Sequence, residues 1–308
     1  MQKISTLMKG SGGKPFSFTE KLLKVIQMER CKLSTPFPWK LLPYLTNLKT
    51  LIFYNSPLNS LPAEIGNLTK LEELSLQENQ LSSLPSQIGE LTNLKNIWLY
   101  KNQLSSMPVE IGKLTELTKL NLPANRLHSV PTEIGNLTRL TILDLSENQL
   151  RSVPSEIGNL INLQELWLFK NELTAFPSQI GKLKKLIYLE LSDNQLSSIP
   201  TEIGNLTSLG ELWLGENQLT SVPAEIGNLI NLKKLSLSNN YQLSSIPAEI
   251  GSLKELETLH LKDTQLSSLP EEIKNLTKLE ELNLKYNPLS NSEKKRIQSL
   301  LPNCEITF

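Results

Sequence analysis

The chain is 308 residues long, 64 of them leucine, and its 31 Lys plus Arg balance 31 Asp plus Glu to a formal charge of zero. A neutral chain lacks the basic footprint of a nucleic-acid binder, and no apolar run approaches the ~20 residues that a membrane span requires. Two Cys and two His leave too little material for a disulfide scaffold or a multi-ligand metal site.

Residues 1–47 carry eight Lys/Arg against two Asp/Glu, so a basic leader precedes a mildly acidic body. Residues 1–15 hold no continuous apolar core and no small-residue cleavage site. They read as a flexible tail, not as a secretion signal. Residues 16–24 are expected to cap the N-terminus, with Ser17 and Glu20 spaced as a capping box. A degenerate copy of the repeat described next spans 23–47, where Leu23, Ile26, Met28, Cys31 and Leu33 hold its spacing.

Regular copies begin at Leu48, Leu71, Leu94, Leu117, Leu140, Leu163, Leu186 and Leu209, each 23 residues after the last. The copy from Leu232 carries one inserted residue, Tyr241, and the copies from Leu256 and Leu279 complete a series of about twelve over 16–289. Residues 140–162, LTILDLSENQLRSVPSEIGNLIN, show the template most cleanly. Its Leu-x-Leu step has period two, so Leu143 and Leu145 point to one face of a short strand while Ile142, Asp144 and Ser146 point to the other. One strand per copy, stacked beside the next, predicts a parallel sheet. The Asn residues 79, 102, 125, 148, 171, 194, 217, 240 and 287 (Asn79, Asn102, Asn125, Asn148, Asn171, Asn194, Asn217, Asn240 and Asn287) fall at the turn leaving each strand. An amide there can bond backbone groups of its own coil and of the adjacent one. Cys31, Ser56 and Thr264 take that place in three copies, with less bonding capacity. Pro154 suits the first position of a short helix or 3-10 turn, and Gly158 its end.

No copy can bury a core alone, so neighbours must stack and the ends must be capped. Residues 290–308 are expected to supply the C-terminal cap. Ser290 and Glu293 are spaced as a second capping box; Ile297, Leu300 and Leu301 form an apolar helix face; Cys304, Ile306 and Phe308 alternate as a final strand. The irregular stretch 241–274, with its inserted Tyr241, Thr264 in place of Asn and Lys274 in place of Gly, reads as tolerated drift.

The repeated Leu-x-x-Leu-x-Leu-x-x-Asn-x-Leu pattern, with its Pro-x-x-Ile-Gly-x-Leu continuation, resembles the leucine-rich-repeat family across residues 23–289. The variant is similar to the short repeats of intracellular Ras-group scaffolds and of many bacterial repeat proteins. The ending SEKKRIQSLLPNCEITF resembles the cap of spirochaetal members. The resemblance implies an α/β right-handed solenoid. It would be a horseshoe with a concave parallel sheet, a convex side of 3-10, short helical or irregular segments, and terminal caps. It also implies a non-catalytic, monomeric protein-interaction module without cofactor or metal, binding on the concave sheet. The spirochaetal likeness implies a host or cell-surface partner, an adhesin or virulence role and a secreted or surface-associated location. An intracellular scaffold in the cytoplasm is the alternative.

The outward strand positions carry the candidate site. Three of the chain's four Trp, namely Trp98, Trp167 and Trp213, fall between the two strand leucines, with Tyr100 and Phe169 two residues beyond the first two. Large aromatics in an exposed row are the usual anchors of interfaces. Over residues 140–231, Asp144, Glu147, Glu165, Glu190, Asp193, Glu211 and Glu216 stand against Lys170. That balance predicts a negative field that steers a basic protein partner and repels nucleic acid. Spaced aromatics also suit stacking on sugar rings, which leaves carbohydrate binding as a rival. Asp-rich calcium loops, phosphate loops, nucleophile elbows and paired-His motifs are missing, so no catalytic or metal residue is assigned. The triplets headed by Asn67, Asn136, Asn205 and Asn275 follow from the repeat template and are not read as glycosylation sites. His128 and His260 read as surface imidazoles.

Overall fold

The computed structural model describes residues 25–29 and 39–308. The expected tail 1–15, the cap 16–24 and Cys31 lie outside the described residues.

Among the described residues thirteen strands form one sheet in strict chain order, and each strand runs parallel to the next. They are β1 (Val25–Glu29), β2 (Thr50–Tyr54), β3 (Glu73–Ser75), β4 (Asn96–Trp98), β5 (Lys119–Asn121), β6 (Ile142–Asp144), β7 (Glu165–Trp167), β8 (Tyr188–Glu190), β9 (Glu211–Trp213), β10 (Lys234–Ser236), β11 (Thr258–His260), β12 (Glu281–Asn283) and β13 (Glu305–Thr307). Between strands the chain returns through one short 3-10 segment per coil, from Ala63–Asn67 to Glu271–Asn275. A parallel sheet built this way, with sequential order and a crossover after every strand, is the solenoid that the 23-residue spacing predicts. The strand leucines Leu143 and Leu145, the 3-10 Ile157 and the returning Leu160 are fully buried, and their equivalents in every regular coil join one continuous core. The flanking strand positions stay half exposed on the concave face.

The ladder asparagines from Asn79 to Asn240 are buried, Asn287 is half-buried, and all are hydrogen-bonded. Asn148 donates its amide to the carbonyls of Leu122 (3.1 Å), Leu145 (2.9 Å) and Ser146 (3.0 Å), and its Oδ1 accepts the N–H of Leu127 at 3.0 Å. Each such residue therefore stitches its own turn to the coil before it. The residue preceding each ladder position, Ala124, Glu147, Lys170, Asp193 and Glu216 among them, adopts a left-handed backbone with φ between 47 and 62°. None of these residues is glycine, so among the described residues each coil from Asn55 onward carries a strained position that the sequence template does not reveal.

Two local expectations are corrected. Pro154 does not open the 3-10 segment. It is the extended N-cap (φ −68°, ψ 153°), one residue before Ser155–Asn159. Gly158 is not there to reverse the chain, because its φ lies outside the left-handed region. A Cβ on it would come within 2.5 Å of the Gln179 carbonyl oxygen, so the glycine permits close approach of the next coil. Lys274 fills that place in the last coil, where no further 3-10 segment stacks.

The C-terminal helix, Asn291–Leu300, starts at Ser290, whose hydroxyl accepts the Glu293 N–H at 3.1 Å. Glu293 does not complete the expected capping box. Its carboxylate accepts the Leu269 N–H at 3.0 Å and pairs with Arg296 at 2.6 Å, and Arg296 donates to the Leu269 carbonyl. The charged pair thus ties the helix to the last coil, while Ile297 and Leu301 cover the core. Half burial pushes the Cys304 thiol up to about 11.

Candidate functional site

Strand register places the outward residues in two rows across the sheet. One row runs Trp98, Asn121, Asp144, Trp167, Glu190, Trp213, Ser236 and His260. The other runs Lys119, Ile142, Glu165, Tyr188, Glu211 and Lys234. Adjacent strands are ~4.8 Å apart, so Trp167 and Trp213 stand ~10 Å apart and Trp98 lies ~14 Å on the other side of Trp167.

The tripeptide Glu-Leu-Trp occurs at 165–167 and again at 211–213, and both copies make the same contact. The indole Nε1 of Trp167 donates to Glu165 Oε2 at 3.1 Å, and that of Trp213 donates to Glu211 Oε2 at 3.1 Å. Residues two apart on a strand share a face, so each glutamate fixes the rotamer of the indole beside it. Tyr188 then stacks on Trp167 with ring centroids 4.1 Å apart and planes 27° from parallel. Its hydroxyl points to Glu190 Oε2 at 3.4 Å. Trp213 meets His260 edge-on at 6.4 Å across the small Ser236, and His260 Nε2 lies 3.2 Å from Glu281.

Charge is less one-sided than the sequence count suggests. Lys234, just outside the 140–231 window, pairs with Glu211 at 3.1 Å, and Lys170 pairs with Glu147 at 3.7 Å. Asp144, Glu165 and Glu190 have no ion-pair partner among the described residues. Burial pushes the Glu190 and Asp144 carboxyls above their ordinary range, against the backbone N–H groups of Ser192 and Ser146 that each accepts at 2.8 and 3.0 Å. Burial, followed by the charges of Glu190, Glu211 and Glu165, also pushes the Tyr188 phenol up. Asp144, Glu165 and Glu190, without an ion-pair partner among the described residues, thus lie on β6, β7 and β8.

Of the sequence-derived residues, Trp167, Trp213, Glu165, Glu190 and Glu211 come together, and Asp144 borders them. Phe169 is exposed just beyond β7, and Glu216 sits on a left-handed turn off the strand. Trp98 and Tyr100 stand apart, with Lys101 Nζ 5.7 Å over the Tyr100 ring. Tyr188 was not among the expected residues. It occupies the strand position of Glu165 and Glu211, one that is occupied by varied residues along the chain, and only its register against Trp167 marks it. Among the described residues no group of three or more His, Cys, Asp or Glu is placed to hold a metal ion, and no helix is long and apolar enough to cross a membrane.

A stacked-coil solenoid with a half-exposed aromatic row defines the class of the protein as a repeat scaffold. The sequence model of the leucine-rich repeat region matches residues 14–145, 125–241 and 216–301, and the chain belongs to the leucine-rich-repeat family. A leucine-rich-repeat protein of Leptospira interrogans is 35% identical over 94% of this chain and 90% of its own, with a TM-score of 0.52. An internalin, inlF, of Listeria monocytogenes is 25% identical over 98% and 85%, with a TM-score of 0.79. The plant peptide hormone receptor RGFR1, solved in complex with RGF2, is 31% identical over 87% of this chain and 48% of its own, with a TM-score of 0.72. The comparison with curated proteins gave no match.

Proposed function

We propose that the chain is a non-catalytic module that holds a partner protein against its concave sheet. The observation that carries this reading is the duplicated Glu-x-Trp arrangement with Tyr188 stacked beside it. Rings already fixed by hydrogen bonds and stacking lose little rotamer freedom on docking, which preserves binding energy. Trp167, Trp213 and Tyr188 form the centre, Phe169 its rim, and Trp98 with Tyr100 an outlying contact. Asp144, Glu165, Glu190, Glu211 and Glu216 give the surface its polarity, favouring a basic partner over nucleic acid. Likeness to a receptor solved with a peptide hormone supports a protein or peptide ligand. A host or cell-surface partner and an adhesin role belong to this reading only through the resemblance of the ending SEKKRIQSLLPNCEITF to spirochaetal caps. A glycan is the rival reading, and it would have to stack on the ring faces that Trp167 and Tyr188 do not turn toward each other.

The test is cross-linked capture from candidate host and cell-surface extracts, followed by titration of the purified partner. Two anchors at ~2 kcal/mol each predict that Trp167→Ala with Trp213→Ala weakens binding about a thousandfold. The exposed convex substitution Val109→Ala should leave it unchanged. Undiminished binding by the folded double variant would refute the concave assignment.

A further inference from the structure

We propose that the depression beside Trp167 and Tyr188 receives a single arginine side chain of the partner. This deepens the concave docking proposed above and rests on it.

The depression encloses about 290 Å³ and is lined by Gln164, Glu165, Trp167, Ile187, Tyr188 and Glu211. Tyr188 lies between Glu165 and Glu211 in strand register, so the strands that carry the two glutamates flank it, ~10 Å from each other. Trp167 stacks on one side of Tyr188, and the half-exposed Ile187 forms an apolar lip. One Glu165 oxygen accepts the Trp167 indole N–H, and the other has no partner among the described residues. Glu211 is already shared between Trp213 and Lys234. Glu165 is therefore the principal acceptor, with Glu211 supplying field.

Each wall excludes a different occupant. An anion would meet two carboxylates. A neutral apolar side chain would strip water from Glu165 and leave it unpaired, which is costly. A metal ion needs converging ligands, and among the described residues no group of three or more His, Cys, Asp or Glu is placed to hold one. A cation with an aliphatic stem satisfies all the walls, with its stem against Ile187 and its charge at Glu165. Arginine fits better than lysine because its planar guanidinium can lie against an aromatic ring while its N–H fork meets a carboxylate.

The test uses the full chain labelled with nitrogen-15 at tryptophan, with indole signals assigned by Trp98→Phe, Trp167→Phe and Trp213→Phe. The probes are N-acetyl-arginine amide, N-acetyl-lysine amide and the neutral isostere N-acetyl-citrulline amide. Arginine should shift the Trp167 indole signal saturably and leave Trp98 unmoved. Lysine should bind several-fold more weakly, and citrulline should have no effect. Glu165→Gln, which keeps an acceptor for the indole, should weaken the arginine response about tenfold. An arginine response equal at Trp98 and Trp167, one matched by citrulline, or one unchanged in Glu165→Gln overturns the proposal, as does no saturable shift at Trp167. If partner capture still depends on Trp167 and Trp213 in that event, the arginine receptor fails while the concave docking stands.

Discussion

The backbone N–H of Leu243 donates to the Asn240 carbonyl at 3.0 Å, and this bond accounts for the irregular coil around it. In the regular coils the leucine two residues after the ladder asparagine gives its N–H to the next coil's asparagine, as Leu219 does to Asn240 at 3.0 Å. The inserted Tyr241 moves Leu243 one residue further on and satisfies its N–H locally. The coil above then needs no amide acceptor, and Thr264 suffices, donating to the Leu261 carbonyl at 3.1 Å. These hydrogen bonds link the insertion to the replacement, so the two changes are expected to be coupled in stability. Deleting Tyr241 should cost about 1–3 kcal/mol by orphaning a buried N–H. Adding Thr264→Asn to the deletion should recover most of that loss, while Thr264→Asn alone should gain nothing. Urea denaturation of the four proteins measures the cycle, and additive effects would disprove the coupling.

The glycine row makes a graded prediction. A Cβ at Gly204 would lie 2.4 Å from the Glu225 carbonyl oxygen, whereas one at Gly66 would lie 3.1 Å from that of Gln87. Gly204→Ala should therefore destabilise by about 1–3 kcal/mol and Gly66→Ala by clearly less. Lys274→Ala, at the end of the row, should stay within about 0.5 kcal/mol of the parent. Thermal melts of the three variants rank them.

Ala124, at φ 54°, adopts the left-handed backbone without glycine's freedom or a polar side chain to ease it. Ala124→Asn, the residue already present at Asn55 and Asn239, is expected to raise stability by about 0.5–1 kcal/mol. Ala124→Val, branched at Cβ, should lower it by at least about 1 kcal/mol. Equal midpoints for both would show that the turn is relaxed.

Glu190 and Asp144 make stability depend on pH in a defined sense. Both carboxyls are raised by burial, so the folded chain holds their protons more tightly than the unfolded chain. Each contribution is then greatest in acid and falls as pH rises from the ordinary value, 3.8 for Asp144 and 4.5 for Glu190, through the raised folded value. Glu72, held down to about 2 by its hydrogen bonds to Lys49 and Lys95, works in the opposite sense, its contribution being lost as pH falls. Glu190→Gln isolates the first effect. The variant should gain on the parent as pH rises above 4.5, with the gain levelling off once the parent carboxyl is fully ionised. A stability difference independent of pH over that window would contradict the assignment.

The strands, the leucine core and the asparagine turns were legible because each depends on spacing within one coil. Leu143, Leu145 and Asn148 can be placed by counting along the chain. What spacing alone did not disclose depends on the neighbouring coil. Gly158 is dictated by a carbonyl 21 residues later, and Lys234 neutralises Glu211 across a copy boundary. Thr264 is explained by Tyr241 in the coil before it. In the candidate site, Trp167 and Trp213 stood out by residue type and position. Tyr188 did not, because its partner lies on another strand in another row. The left-handed residues escaped notice because Ala, Glu, Lys and Asp carry no sequence mark of the conformation imposed on them.

The side-chain amides of the ladder asparagines reach only backward, each gripping the carbonyl 26 residues earlier, as Asn171 grips Leu145. Pulled by its two ends, such a molecule should lengthen in steps, like a coil spring whose loops are tacked one to the next. Every tack that tears frees one 23-residue loop, about 80 Å of slack chain, and leaves the remaining loops fastened. A chain fastened in this way should yield to sudden load loop by loop, its central loops holding their shape until they themselves give way.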